Sequence, residues 1–330
     1  MSMSAETSPF HPGEWALHAR IGLRARMEQT GRHMLRDFMP AQHRELFEKL
    51  PFLLVGSLDE QRRPWASILV GRPGFVRAPD ARTLTIAARP GFGDPLRQNL
   101  RDGALVGLLG IELETRRRNR MNGTVSALGD GAFSVQVGQS FGNCPKYIQS
   151  RAPRFIAEPA TMQAPRKLQR FGGALPAPAA ALVRRADTFF IATSTPAAPD
   201  GNVAYGVDVS HRGGKPGFVL LTGEDGAAVL TSPDFSGNRM FNTFGNLVLD
   251  PRAGLLLVDF TTGDVLSLTG TAAVIWDGDA LARFAGAERL LRFRLDEGVL
   301  IENALPLRWT EAEPAPQLAA TGSWEETTSA

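Results

Sequence analysis

GKPGFV (214–219) recurs, with one residue changed, as GRPGFV (71–76), and this repetition decides how the rest of the chain divides. Working outward, LPFLLVGS (50–57) precedes the first occurrence as DTFFIATS (187–194) precedes the second. Beyond them VGLLGIEL (106–113) answers AGLLLVDF (253–260), and MNGTVSAL (121–128) answers LTGTAAVI (268–275). Order and spacing are kept, the signature of a duplicated unit. A short helix is predicted after Met39-Pro40 and again after Leu175-Pro176.

The matched blocks are short apolar runs separated by Gly, Pro and Asp turns. In the first copy they predict strands at Trp65 to Val70, Thr83 to Ala87, Ala104 to Glu112, Met121 to Leu128 and Ala132 to Val137. Such short, regular spacing indicates an antiparallel barrel or sandwich and not a wound parallel sheet. The expected fold is mainly β (α+β): two tandem β units packed as an intrachain pseudo-dimer, each covering the other's apolar face. Residues 1–50 form a helical segment, with one long helix from Glu14 to Asp37 and a short one from Ala41 to Leu50, stopped by Pro51. Units at 51–156 and 182–309 flank a Pro, Ala and Gly-rich linker at 157–181. Alternation of Leu291, Phe293 and Leu295 with Arg292 and Arg294 predicts a strand with one wet face. Residues 310–330, low in large aliphatics, are expected to be disordered.

Composition narrows the function. A chain of 330 residues with 43% hydrophobic and 21% charged content is globular, and a net charge of +2 gives no global field toward nucleic acid or an anionic membrane. The run Arg116, Arg117, Arg118, Arg120 lacks interleaved aromatics and reads as a solvated turn. Cys144 is the single cysteine, which excludes an intrachain disulfide and a cysteine-based metal cluster and fits the cytoplasm. No run approaches the ~18 apolar residues of a membrane span. Four of five histidines lie in the N-terminal helices without ligand spacing, so no metal is expected.

The stretch HRGGKPGFVLLTGEDGAAVLTSPDFSGNRMFN (211–242) carries the candidate site. Its loop offers backbone N–H groups at Gly237, an amide at Asn238 and a guanidinium at Arg239, which suit a phosphate dianion, although the same residues are common turn chemistry. Thr231 and Ser232 add donors, Arg212 or Lys215 adds charge, and Asn242 closes the stretch. In the first copy Gly93, Asp94 and Pro95 take the loop's place, with an acid and a residue lacking an N–H. Conversely, only the first copy continues into QSFGNCPKYIQSR (139–151), so Asn143, Cys144, Pro145 and Lys146 are the expected opposite wall. One complete site per chain is the prediction.

SHRGGKPGFV (210–219), SPDFSGNRMFNTFGNL (232–247), DPRAGLLLVDF (250–260) and SLTGTAAV (267–274), in that order, with NCPKYIQSR (143–151) in the first copy, resemble the FMN-binding split-barrel proteins related to pyridoxamine 5'-phosphate oxidase. The chain resembles more narrowly a tandem-barrel subset found ahead of ferredoxin-reductase-like domains. The resemblance implies paired six-stranded Greek-key split barrels with FMN between them. It implies that Gly217, Phe218 and Val219 run along the isoalloxazine, that Gly237 to Arg239 hold the phosphate, and that the first copy closes the site near Arg120, Asn122 and Lys146. It further implies an oxidoreductase passing electrons or hydride through FMN, served by a small-molecule substrate or an electron-donor reductase. No equivalent of the segment that binds the pyridoxamine ring is found, which counts against vitamin B6 oxidation. The alternative is a non-catalytic flavin- or haem-binding or sensing module. Catalytic candidates are His211, for proton transfer, and Cys144, as a redox thiol; a turn histidine and a small buried hydrophobe are the plainer readings. A homodimer through the N-terminal helices is compatible with the sequence.

Overall fold

The computed structural model describes residues 8–197 and 201–324. Pro12 opens α1 (Pro12–Arg20), and His11 and Glu14 close a reciprocal capping box around its first turn. The predicted long helix is broken: Gly22, at φ +70°, turns the chain into α2 (Arg24–Met34), a left-handed conformation that costs glycine no Cβ clash. After Pro40 comes α3 (Ala41–Lys49), close to its predicted bounds.

A seven-stranded sheet follows, made of β1 (Phe52–Leu58), β2 (Pro64–Val70), β3 (Val76–Arg77), β4 (Thr83–Ile86), β5 (Leu105–Glu112), β6 (Arg117–Gly129) and β7 (Ala132–Gly142), with α4 (Leu96–Asn99) between β4 and β5. The connecting stretch carries β8 (Pro153–Phe155), β9 (Leu168–Phe171) and α5 (Ala177–Arg185). The second sheet holds β10 (Thr188–Ser194), β11 (Val207–Gly213), β12 (Leu220–Glu224), β13 (Ala227–Phe235), β14 (Arg252–Val258), β15 (Val265–Ile275) and β16 (Ala287–Ile301). Helix α6 (Asn242–Leu249) lies between β13 and β14, α7 (Asp279–Arg283) precedes β16, and β17 (Leu307–Trp309) pairs with β8.

Both sheets are antiparallel and share one strand order: β2-β1-β5-β6-β7-β4-β3 in the first, β11-β10-β14-β15-β16-β13-β12 in the second. The match extends to irregularities. A bulge falls between Asn122 and Gly123 on β6 and between Thr269 and Gly270 on β15. A Cβ on either glycine would lie 2.1 Å from a facing carbonyl oxygen, of Gln136 or Arg294, so only glycine fits. Contacts across the seam are reciprocal. Gly107 on β5 lies against the backbone of Val207 and Asp208 on β11, and Gly254 on β14 lies against Pro64 and Trp65 on β2. Reciprocity of this kind is what a two-fold relation requires. Each unit has its own apolar core, and a third core, including Leu54, Ile68, Phe190, Val209 and Leu256, fills the seam.

Three expectations are corrected. Pairing of Leu54 with Leu109 and of Phe190 with Leu256 makes Leu54 the counterpart of Phe190, one residue away from the register in which LPFLLVGS overlies DTFFIATS. A slip of one flips every side chain, but both strands are apolar on both faces and hide it. The linker contains β9, which extends the second sheet by pairing with β16, and buries Met162. Residues 310–324 are packed: Leu318 and Trp324 are buried, and the Trp324 indole N–H donates to the Phe218 carbonyl at 2.7 Å. Residues 325–330 lie outside the described residues.

Candidate functional site

Alternation along β11 sends Asp208, Ser210 and Arg212 to one face. From β6, across the seam, Arg120 donates to both carboxylate oxygens of Asp208 at 2.9 and 3.0 Å and to the Ser210 hydroxyl. This pair is buried on both sides. Arg212 donates to Asp234 at 2.9 Å. From β16 comes Arg289, only 3% exposed, its guanidinium centre 5.1, 5.8 and 5.0 Å from the rings of Phe241, Phe244 and Trp276. Between β13 and α6 the chain turns sharply, with Arg239 and Phe241 both in the left-handed region at φ 60° and 59°. Aromatic residues seldom adopt that conformation, so the loop is held by its surroundings.

The N-terminal segment supplies much of those surroundings. Gln139 donates to the Pro9 carbonyl at 3.0 Å, His11 shares a 2.9 Å hydrogen bond with Asn246, and Asn242 donates to Glu14 at 2.7 Å. Helices α1 and α6 approach until a Cβ on Gly13 would sit 2.1 Å from the Gly245 carbonyl oxygen. Burial pushes the Glu14 carboxyl well above its ordinary range, against the donation from the His11 backbone, and lowers His11 to about 4.

Beside this segment lies a cavity of about 60 Å³, lined by Arg120, Arg212, Arg239, Arg289, Asn242 and Thr243, together with Asp234 and Asn238. It has room for about two waters or one tetrahedral oxyanion, far below the ~300 Å³ at which drug-sized ligand sites begin. Its chemistry is unusual. The buried Nε atoms of Arg120, Arg212 and Arg289, and Nη1 of Arg289, have no hydrogen-bond partner; the 3.3 Å approach of Arg289 Nε to Asp234 is an ion pair without hydrogen-bond alignment. Each such donor costs ~1–3 kcal/mol unless something accepts from it. Burial lowers Arg212 and raises Asp234.

Sequence-derived candidates divide into two groups. The structure brings Arg120, Arg212, Gly237, Asn238, Arg239 and Asn242 around the cavity, and Arg120, assigned to a solvated turn, is buried within it. The others lie elsewhere. Phe218 and Val219 point into the second core and line no ring slot, Gly217 is a turn residue at φ +82°, and Lys215 is tied to the Thr321 carbonyl at 2.5 Å. Thr231 and Ser232 lie on β13 paired with β16, so the sheet and not the cavity takes their backbone. Asn122 projects from β6 outside the lining, with its buried Oδ1 unpartnered. The expected wall at Asn143, Cys144 and Lys146 approaches β11 instead: Arg118 donates to the Cys144 carbonyl at 2.8 Å and to His211 Nδ1 at 3.3 Å. His211 is not the turn histidine of the plainer reading, because alternation on β11 buries it in the seam. Burial and the neighbouring Arg118, Arg212, Arg151 and Arg120 keep it neutral, and burial lowers Arg118 to about 9. Among the described residues no group of acidic, His or Cys side chains could hold a metal, and no helix is long and apolar enough to cross a membrane.

Arg289 was missed, yet it shares the inward phase of Leu291, Phe293 and Leu295 on β16, and an arginine at an inward position is a visible signal. The two loops align three residues away from the register in which Gly93, Asp94 and Pro95 face Gly237, Asn238 and Arg239. Asn99 donates to Ser57 at 2.9 Å just as Asn246 donates to Thr193 at 3.0 Å, which places Pro95 opposite Asn242 and Phe92 opposite Arg239.

No family model matches the chain, and no curated protein matches it. Among solved structures it is similar to a putative pyridoxamine 5'-phosphate oxidase from Lactobacillus delbrueckii, at 14% identity and a TM-score of 0.26, over 32% of this chain and 95% of that one. It is also similar to HutZ, the haem storage protein from Vibrio cholerae, at 12% identity and a TM-score of 0.23, over 37% of this chain and 91% of that one. A third is a putative 5-nitroimidazole antibiotic resistance protein from Bacteroides thetaiotaomicron, at 10% identity and a TM-score of 0.25, over 48% and 96%. Scores at this level assign the chain neither a family nor a function.

Proposed function

We propose that the chain is a flavoprotein of the oxidoreductase class, built from a duplicated split-barrel unit, that holds FMN by its phosphate in the arginine cavity of the second copy. The observation that carries this reading is the set of unpartnered, buried guanidinium nitrogens on Arg120, Arg212 and Arg289, with Arg239 at the rim. A phosphate dianion would accept from them as charge-assisted hydrogen bonds, with Asn238 and Thr243 as further donors. The cavity fits the phosphate and is too small for the ring system, so the isoalloxazine docks only if the N-terminal segment or the 310–324 strap moves. When bound, FMN supplies the hydride or electron chemistry. This chain's residues fix the phosphate, exclude water, and hold neutral His211 behind the seam.

A second reading, a flavin- or haem-binding or sensing module without turnover, is favoured by the His11 to Asn246 and Gln139 to Pro9 contacts, which fill the groove that a substrate would enter. The test is the visible spectrum of the purified chain with added FMN, followed by NADH or NADPH. Bound flavin that is reduced supports the enzyme, bound flavin that stays oxidised supports the module, and no flavin uptake sinks the enzyme and leaves of the module only its haem-binding form, which added haemin tests by the same spectrum.

A further inference from the structure

The groove filled by the N-terminal segment in the second copy has an open counterpart in the first. By strand pairing, Asn99 corresponds to Asn246 and Glu297 to Gln139, the residues that grip His11 and Pro9. Asn99 and Glu297 instead line a groove of about 1120 Å³, with Trp65, Phe92 and Asp94 beside them. That volume is ample for a small molecule.

Asp94 is the groove's distinguishing group. It is 7% exposed, and both hydrogen bonds that it accepts, from the Ser67 hydroxyl at 2.6 Å and the Leu96 N–H at 2.8 Å, end on Oδ1. The cations nearby are committed elsewhere or lie at the rim. Arg63 is held between Asp59 at 2.8 Å and Glu297 at 3.1 Å, Arg166, which shares a smaller cavity with Asp94, donates to the Asn303 and Thr161 carbonyls at 3.1 and 3.0 Å, and Arg97 and Arg170 are exposed. Burial, with no cation to oppose it, raises Asp94 to about 6. A buried carboxyl in that state gains most from a ligand that brings a positive charge, and it repels the phosphate that the arginine cavity attracts.

We propose that this groove binds a small organic cation, an amine or amidine, with its protonated nitrogen on Oδ2 of Asp94 and its flat apolar part against Phe92 and Trp65. The site is independent of the arginine cavity and of any flavin.

Calorimetric titration of benzamidine into the full chain tests it. Saturable binding is expected, weakened at least tenfold by Asp94→Asn, which keeps an oxygen for Ser67 and Leu96. It should be unchanged by Arg289→Met. The charged groups facing the groove are Asp59, Glu60, Arg63, Arg97, Arg170 and Glu297, so proton release separates a role for Asp94 from a structural one. At pH 5.5, measured in two buffers of different ionisation enthalpy, the wild-type chain should release up to about three-quarters of a proton on binding, and at pH 8 almost none. This readout needs no variant and stands if Asp94→Asn fails to fold. No saturable heat, equal affinity of a folded Asp94→Asn, or binding without proton release at pH 5.5 would each overturn the proposal.

Discussion

Replacing Arg289 by methionine separates an anion site from a structural arginine. The side chain lies among Phe241, Phe244 and Trp276 and leaves Nε and Nη1 without hydrogen-bond partners. Methionine fills a comparable volume against the same rings, and Asp234 keeps Arg212 at 2.9 Å, so no bare carboxylate is created. Loss of the ion pairs with Asp234 and Glu288, the latter still facing Arg239, is offset by relief of two unsatisfied donors, and the ligand-free stability should change by no more than ~1 kcal/mol. Phosphate dependence should change far more. At 100 times its dissociation constant phosphate stabilises the wild type by ~2.7 kcal/mol, roughly 5 °C in melting temperature for a chain of this size. Loss of a charge-assisted hydrogen bond weakens binding by ~1.5–3 kcal/mol, which leaves a stabilisation of about 0.3–1.3 kcal/mol and a shift of about 2.5 °C or less. Melting in phosphate against chloride at matched ionic strength reads both numbers. Equal shifts in the two proteins, or none in the wild type, would refute the assignment of the cavity.

The first-copy acid should govern stability at neutral pH. Because Asp94 is raised from 3.8 to about 6, its protonated form favours the fold, and that contribution is lost as pH rises from about 4 to 6, up to ~3 kcal/mol. Asp94→Asn should therefore be the more stable protein in urea at pH 8 and show no advantage at pH 4. His11 acts in the opposite sense. Lowered from 6.5 to about 4, it costs stability as pH falls through that window, by about 3 kcal/mol. The acid limb of a melting profile should be flatter in His11→Gln, and identical limbs would remove His11 from the account. At the seam, Gly254→Ala places a Cβ 2.3 Å from the Pro64 carbonyl oxygen and should cost ~1–3 kcal/mol or more in urea. Gly223→Ala on β12, with nothing within 4 Å of its Cβ, is the neutral control.

The repeated turn GKPGFV was enough to divide the chain, because a turn motif and two glycine-marked bulges are local and survive as letters. Their structural equality is visible in Gly71 and Gly214, whose Cβ positions would strike Phe75 and Phe218 in the same way. Register was harder, since β1 and β10 are apolar on both faces and offer no alternation to count. The half-legible site has a similar cause. Arg212, Asn238 and Arg239 sit in one stretch, but Arg120 and Arg289 arrive from β6 and β16, and pairing alone brings them there. Least legible was the filling of the groove: Glu14 meets Asn242, 228 residues away, through a hydrogen bond that no periodicity announces. The same blindness hid the open groove, because Asp94 read only as a poor substitute for a phosphate donor.

The central claim, that Arg120, Arg212, Arg239 and Arg289 hold a flavin by its phosphate, is tested most directly by titrating FMN and riboflavin into the same preparation and following flavin fluorescence. The two ligands share the ring and differ in the phosphate. Four arginines at one cavity predict saturable binding of FMN and at least tenfold weaker binding of riboflavin, with the difference shrinking as salt is raised. Equal affinities, or no binding of FMN at all, would contradict it.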